Sequence, residues 1–287
     1  MGRIAYVNGR FVPHREAAVH IEDRGYQLAD AVYEVWSVMD GRLADAEGHF
    51  ARLDRSLEEL QIRPPMSRRA LMIVLRESLR RNRVREGLIY LQVSRGVAPR
   101  DHAFPGDDVE PSIVITAKSL DRTASEAKAA KGVGVLTVPE NRWGRCDIKT
   151  VGLLPNALAR QQAKEAGAYE AIFVDDLGLI TEGAASSAWI LDQDGVLRTR
   201  DTNANILRGV TRRTLMDVIH ESGLPFQERP FTVEEAKAAK EVFITGAGAL
   251  VLPVVSIDGA KVGDGAAGPV AMRLRRLYIE RARASAI

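Results

Sequence analysis

Two residues in this chain carry types and spacing suited to carbonyl chemistry. Lys149 lies near the end of WGRCDIKT (143–150), with Arg142 and Arg145 close by in the sequence. Neighbouring cations disfavour an ammonium and favour the free amine. A free amine attacks an aldehyde and forms a Schiff base. The plainer alternative is an ordinary lysine paired with Asp147 or Glu140, since lysines mostly face water. The second residue is Glu182, in TEGAASS (181–187), just past the strand-like EAIFVDDLGLI. A carboxylate bonded to a pyridine nitrogen keeps that nitrogen protonated. The ring can then draw in the electrons left behind when a proton leaves a neighbouring carbon. Its plainer alternative is a loop glutamate in water.

An aldehyde cofactor held by a lysine also needs a cradle for its phosphate and a surface for its ring. RGVTR (208–212) places Gly209 and Thr211 just before an apolar helical repeat of Leu215, Val218 and Ile219. Free amides and a hydroxyl at a helix start bind anions, although capping alone explains Thr211 equally well. Ser186, Ser187 and the FITGAGA turn (243–249) add short side chains and exposed amides. Arg52 shares an amphipathic helical pattern with Phe50 and Leu53, from which it either reaches a phosphate or simply faces solvent.

The elements that must position these groups are legible in the spacing. IAYVNGRFV (4–12) reads as a hairpin turning at Asn8-Gly9, and AVYEVWSVMDGRL (31–43) as another, turning at Asp40-Gly41. Phe50, Leu53, Leu57 and Leu60 mark one helix, and Leu71, Val74, Leu75 and Leu79 the next. LIYLQVS (88–94) and SIVITA (112–117) are strand-like, and the polar loop between them, 95–111, is long enough to suggest a function. Residues 121–132 are polar and read as a linker. Beyond it lie strands at 132–138, EAIFVDD, SAWILDQDG, VLRTR and EVFITG, and helices at 153–166, 211–222, 233–240 and 269–285. Strands and helices mix without regular βαβ alternation, so the expected class is α+β in two domains, 1–120 and 133–287.

Composition excludes several alternatives. With 287 residues, 46% hydrophobic and 27% charged, the chain can bury a sizeable core. A net charge of +2 without a concentrated basic tract speaks against nucleic acid. One cysteine, Cys146, rules out an intramolecular disulfide framework, and the five histidines lack metal-ligand spacing, so no metal is expected. The N-terminal residues lack a signal-peptide core, and no apolar stretch approaches a membrane span, so a cytoplasmic location is expected. Neither a GxSxG elbow nor a GxGxxG fingerprint supports a serine hydrolase or a dinucleotide fold.

Together these segments resemble the fold-type-IV pyridoxal-phosphate enzymes, which include D-amino-acid aminotransferases, branched-chain aminotransferases and aminodeoxychorismate lyases. The resemblance runs through EDRGYQLADAVYEV (22–35), HFARLDRS (49–56), RGVAPRDHAFP (95–105), WGRCDIKT, YEAIFVDD (169–176), TEGAASS, ILRGVTR (206–212) and FITGAGALVLPV (243–254). It implies pyridoxal 5′-phosphate between two α+β domains, with Lys149 as the Schiff-base lysine and Glu182 on the pyridine nitrogen. It implies a phosphate held by Arg52, Ser186 and Thr211 with backbone amides near Val210 and Ala247, and Leu207 packed on the ring. Arg100-Asp101-His102 matches the Arg-x-His pair of the D-amino-acid aminotransferases. In that subgroup the neighbouring subunit supplies the pair, which works with a tyrosine, here Tyr33, to grip a substrate carboxylate. The implied function is a transaminase exchanging an amino group between D-amino acids and 2-oxo acids, as a homodimer. The branched-chain L-aminotransferases, the lyases, (R)-amine transaminases and a non-catalytic relative are the alternatives. Ala184, Ala185 and the turn Gly246-Ala247-Gly248 depart from the subgroup, where hydroxyls stand. This shifts phosphate binding here toward backbone amides.

Overall fold

The computed structural model describes residues 2–202 and 206–287. The chain forms two compact units. One comprises Met1–Asp121, Ile148–Gly152 and Ser285–Ile287, and the other Arg122–Asp147 and Leu153–Ala284.

The first unit opens with β1 (Ile4–Val7) and β2 (Arg10–Pro13). Asn8 and Gly9 between them have φ of 43° and 89°, the twist that a two-residue hairpin turn requires. A short helix, α1 (Arg24–Leu28), is capped by Asp23, whose carboxylate accepts from Gly25 N. Five residues are too few to show a period, so hydrophobic spacing does not reveal α1. Strand β3 (Ala31–Met39) turns through Asp40-Gly41 into β4 (Arg42–Leu43). Helices α2 (Ala46–Glu59) and α3 (Arg68–Asn82) press Phe50, Leu53, Leu57, Leu71, Leu75 and Leu79 into one core with Trp36 and Val38 of β3. Strands β5 (Gly87–Ser94) and β6 (Ser112–Ser119) complete an antiparallel sheet in the order β2-β1-β6-β5-β3-β4. The last β5–β6 pair, Ser94 with Ser112, closes the base of loop 95–111.

Residues 148–152 were expected among the C-terminal elements but pack in this first unit. Tyr33 N donates to Lys149 O at 3.0 Å, Val151 N to Ala31 O at 3.1 Å, and Ile148 is buried in the core of α2 and β3. One buried isoleucine and two backbone bonds therefore fasten Lys149 beside the start of β3.

The second unit begins with α4 (Arg122–Lys131), where a linker was expected. Polar composition concealed a run rich in alanine, the best helix former. Ala129 is fully buried, and Glu126 pairs with the buried Arg275 at 2.8 Å. There follow β7 (Val133–Pro139), α5 (Leu154–Glu165), β8 (Glu170–Val174), β9 (Ile180–Gly183), β10 (Ser187–Leu191) and β11 (Leu197–Thr199). The chain continues through α6 (Val210–Glu221), β12 (Phe226–Glu228), α7 (Val233–Ala238), β13 (Glu241–Gly246), β14 (Leu250–Ile257), β15 (Ala260–Lys261) and α8 (Pro269–Ala284). The strands join in the order β12-β11-β10-β13-β14-β7-β8-β9, with β15 on β14. Three of these pairings are parallel, namely β11 with β12, β14 with β7 and β7 with β8. Arg275 of α8 donates to Ala249 O and Val251 O, which fixes the turn after β13 from behind. Among the described residues no helix is long and apolar enough to cross a membrane.

Candidate active site

In the first unit the structure brings Lys149 and Tyr33 together. The Lys149 Nζ lies 4.1 Å from the centroid of the Tyr33 ring, and its backbone N lies 3.4 Å from Ser56 Oγ. The next residue of β3, Glu34, points to the opposite face of the strand, toward α2. It is fully buried and accepts from Arg52 Nε at 2.7 Å, Arg52 Nη2 at 2.8 Å and His49 Nδ1 at 2.7 Å. Burial would raise the Glu34 carboxyl, but the Arg52 charge and the Arg52 and His49 hydrogen bonds outweigh it, to about 2. Burial pushes His49 down from its ordinary value, only partly offset by Glu34. Arg52 is thus no solvated helix arginine: a buried partner sets its guanidinium. His49 and Arg52, three apart on α2, meet the one acidic residue of a buried strand, and that pattern was the available signal for the cluster.

In the second unit Glu182 is buried on β9, 5% exposed. Its Oε1 accepts from Arg142 Nη1 at 2.6 Å and from the Leu207 amide at 3.1 Å. Arg142 also donates from Nε and Nη2 to Glu140 at 2.8 and 2.6 Å, and its guanidinium stacks on Phe173 at 4.5 Å. Thr181 Oγ1 donates to Glu140 Oε2 at 2.7 Å. Burial would lower Arg142, but the Glu140 hydrogen bond and the Glu182 charge hold it well above the usual guanidinium range. Sequence spacing suggested that Arg142 and Arg145 crowd Lys149. Instead each has its own carboxylates: Glu140 and Glu182 for Arg142, and Asp147 for Arg145 at 3.0 Å. The same pairs occupy Asp147 and Glu140, the carboxylates that would make Lys149 an ordinary ion-paired lysine. Arg142 itself was missed as a functional residue, because nothing in sequence ties it to Glu182.

Three backbone segments converge near Glu182. A Cβ on Gly209 would lie 2.8 Å from Ser187 Oγ and 3.2 Å from Arg212 Cβ, and one on Gly246 would lie 3.0 Å from Ala185 O. The start of α6 therefore packs closely on the Ser187 side chain, and the end of β13 on the Ala185 backbone. Gly209 is the N-cap of α6 and offers no side-chain cap, so the first-turn amides of Val210 and Thr211 lack intrahelical partners. Such a helix start, with Ser187 beside it, suits an anion. Ser186 is turned aside: its hydroxyl donates to Glu170 Oε2 at 3.3 Å. Burial pushes the Glu170 carboxyl up, and Arg160, at 2.9 Å, offsets part of that.

Arg100 and His102 are exposed on loop 95–111. Among the described residues neither side chain makes a hydrogen bond or ion pair within the chain.

Comparison with known proteins decides what this arrangement belongs to. The family model for class IV amino-transferases matches residues 31–257. The chain belongs to the class IV amino-transferase family. Its curated relatives include the D-alanine aminotransferase of Staphylococcus haemolyticus, 42% identical over 96% of this chain and 97% of that protein. The D-alanine aminotransferase of Bacillus licheniformis is also 42% identical, over 92% of this chain and 91% of its own length. Among solved structures, the Escherichia coli branched-chain amino acid aminotransferase superposes with a TM-score of 0.89 at 25% identity, covering 98% of this chain and 95% of that one. The T.th. branched-chain amino acid aminotransferase with pyridoxamine 5′-phosphate gives 0.88 at 27% identity, covering 98% and 94%. Members of this family are aminotransferases that work with pyridoxal phosphate. The groups present are of the kinds that coenzyme needs: a half-buried primary amine in the first unit, and in the second a buried carboxylate and a helix start without a side-chain cap.

Proposed function

We propose that this aminotransferase moves an amino group between a D-amino acid and a 2-oxo acid in a ping-pong cycle, as a cytoplasmic homodimer. The observation that carries the reading is the pair Arg100 and His102, both exposed on a loop and uncommitted to groups of their own chain among the described residues. A guanidinium presents two parallel donors to a carboxylate, and an imidazole presents another. With Tyr33 they grip the substrate carboxylate, and the loop is supplied by the partner subunit. Holding the carboxylate on one side decides which Cα hydrogen faces Lys149, and so decides handedness. The D-alanine specificity in the names of the 42% identical relatives supports the same choice.

When bound, pyridoxal phosphate supplies an electron sink for the pair left on the substrate Cα. The chain's own residues do the rest. Lys149 would hold the coenzyme through its Nζ and, once freed by the amino donor, would take the substrate Cα proton on that same nitrogen, acting as base and then as acid. Glu182, held by Arg142, keeps a proton on the ring nitrogen, and Leu207 packs on the ring. Arg52, Thr211 and the amides of Val210 and Ala247 would hold the phosphate, and Ser186 would join them by turning its hydroxyl away from Glu170.

A donor screen with both enantiomers of alanine, glutamate and leucine, with 2-oxoglutarate or pyruvate as acceptor, tests the proposal. Turnover of the D-enantiomers is expected. Turnover of L-leucine with none of D-alanine would replace it by an L-branched-chain aminotransferase; the superposed structures are named as branched-chain amino acid aminotransferases.

A further inference from the structure

Loop 95–111 presents Arg100 and His102 on exposed backbone, and an exposed loop of that length samples many conformations unless something fixes it. A two-pronged grip needs both side chains pre-set, since positional looseness at a recognition site costs affinity. The fixing group is Arg24, the arginine of EDRGYQL. It is buried, with its side chain 3% exposed. Its Nη1 donates to Asp101 O at 2.6 Å and its Nη2 reaches His102 O at 3.5 Å. The Asp101 peptide lies between the two gripping residues, so a guanidinium on these carbonyls sets the peptide planes from which both side chains project.

Arg24 is itself held. Its Nε donates to Asp30 Oδ2 at 2.8 Å, and the same carboxylate takes two bonds from Arg95, at 2.7 and 3.0 Å. The Arg95 guanidinium carries the Phe104 ring at 3.6 Å, seating the far side of the loop tip. The Arg24 amide also donates to Gly96 O at 2.9 Å, which ties α1 to the loop's first residues. The Asp30 carboxylate thus joins two guanidiniums, one grasping 101–102 and the other seating 104. A lysine at position 24 would keep the charge but could not span Asp30 and both carbonyls, because it lacks the planar fork.

We propose that Arg24 is a positioning residue for substrate specificity: through the carbonyls of Asp101 and His102 it holds Arg100 and His102 in the geometry that grips the substrate carboxylate. This rests on the D-amino-acid reading given above. Removing the Arg24 side chain leaves Asp30 still paired with Arg95, so that carboxylate keeps a partner.

The experiment uses the coenzyme-loaded protein as wild type, Arg24→Lys, Arg100→Ala and the double variant. It measures kcat and KM for D-alanine, and the Kd of propionate, a carboxylate that cannot react, from the shift in coenzyme absorbance. Arg24→Lys is expected to raise KM and the propionate Kd roughly tenfold, with kcat and coenzyme retention nearly unchanged. In the Arg100→Ala background it should add almost nothing, as groups acting through one contact are not additive. A loss in kcat with unchanged KM and Kd, or full additivity with Arg100→Ala, would overturn the proposal. If Arg100→Ala leaves both constants unchanged, the carboxylate grip itself is wrong and this inference falls with it. If Arg100→Ala weakens binding and Arg24→Lys does not, only this inference falls. Should Arg24→Lys fail to fold, Asp30→Asn gives the second reading: the same KM and Kd rise at constant kcat supports the proposal, and unchanged constants contradict it.

Discussion

Glu182 is buried, and a buried carboxylate is tolerated only when paired and hydrogen-bonded. Arg142 meets that need and shares itself with Glu140, so one guanidinium balances two carboxylates. Breaking such a pair by removing one partner costs about 3–5 kcal/mol, because the other charge stays buried. Arg142→Met should therefore lower the melting temperature and, by freeing Glu182 to shift, lower kcat by about tenfold or more. Calorimetry and steady-state assays check both, and unchanged values would show that Glu182 needs no such support. Sequence made Lys149 and Glu182 visible because each sits in a short distinctive segment. Arg142 was visible only as a cation near Lys149, since a pairing across 40 positions leaves no trace in spacing.

At the scale of elements, the proposed phosphate cradle at the start of α6 depends on Gly209 lacking a side chain. A methyl there would press on Ser187 Oγ at 2.8 Å and Arg212 Cβ at 3.2 Å. Gly209→Val should push the segments apart and weaken coenzyme retention about tenfold or more, read by fluorescence titration of the coenzyme-free protein. Equal affinity would place the phosphate elsewhere. The pairing of α2 with β3 makes a second prediction. Glu34 is held at about 2 against an ordinary 4.5, and His49 also lies below its ordinary 6.5. Both folded-state values are depressed, so the stability they contribute is complete above the unfolded values and is lost as pH falls. Glu34 accounts for about 3 kcal/mol of loss between pH 4.5 and 2. Glu34→Gln should flatten unfolding free energy against pH in that window, and an unchanged slope would remove Glu34 as the cause. Hairpins and amphipathic helices were legible from Asn8-Gly9, Asp40-Gly41 and the leucine spacing. Helix α4 was not, because its packing rests on Ala129 and on Glu126 meeting Arg275, about 150 positions away.

For the whole molecule, the proposed trans supply of Arg100 and His102 predicts complementation. A Lys149→Ala subunit co-expressed with an Arg100→Ala subunit should regain activity, because the heterodimer contains one site with an intact lysine and an intact partner loop. Mixtures no more active than their parents would put the grip in cis or abolish it. The order of motifs along the chain carried the family, whereas the grouping of residues 148–152 with the first unit did not show in order at all; it depends on Ile148 entering the core of α2 and β3. Lys149 is proposed to be the one lysine that binds the coenzyme covalently. Reducing the yellow protein with borohydride and mapping its peptides tests this most directly. One pyridoxyl group is expected, on the peptide containing Lys149. A label on another lysine, or none on a protein that still transaminates, would contradict it.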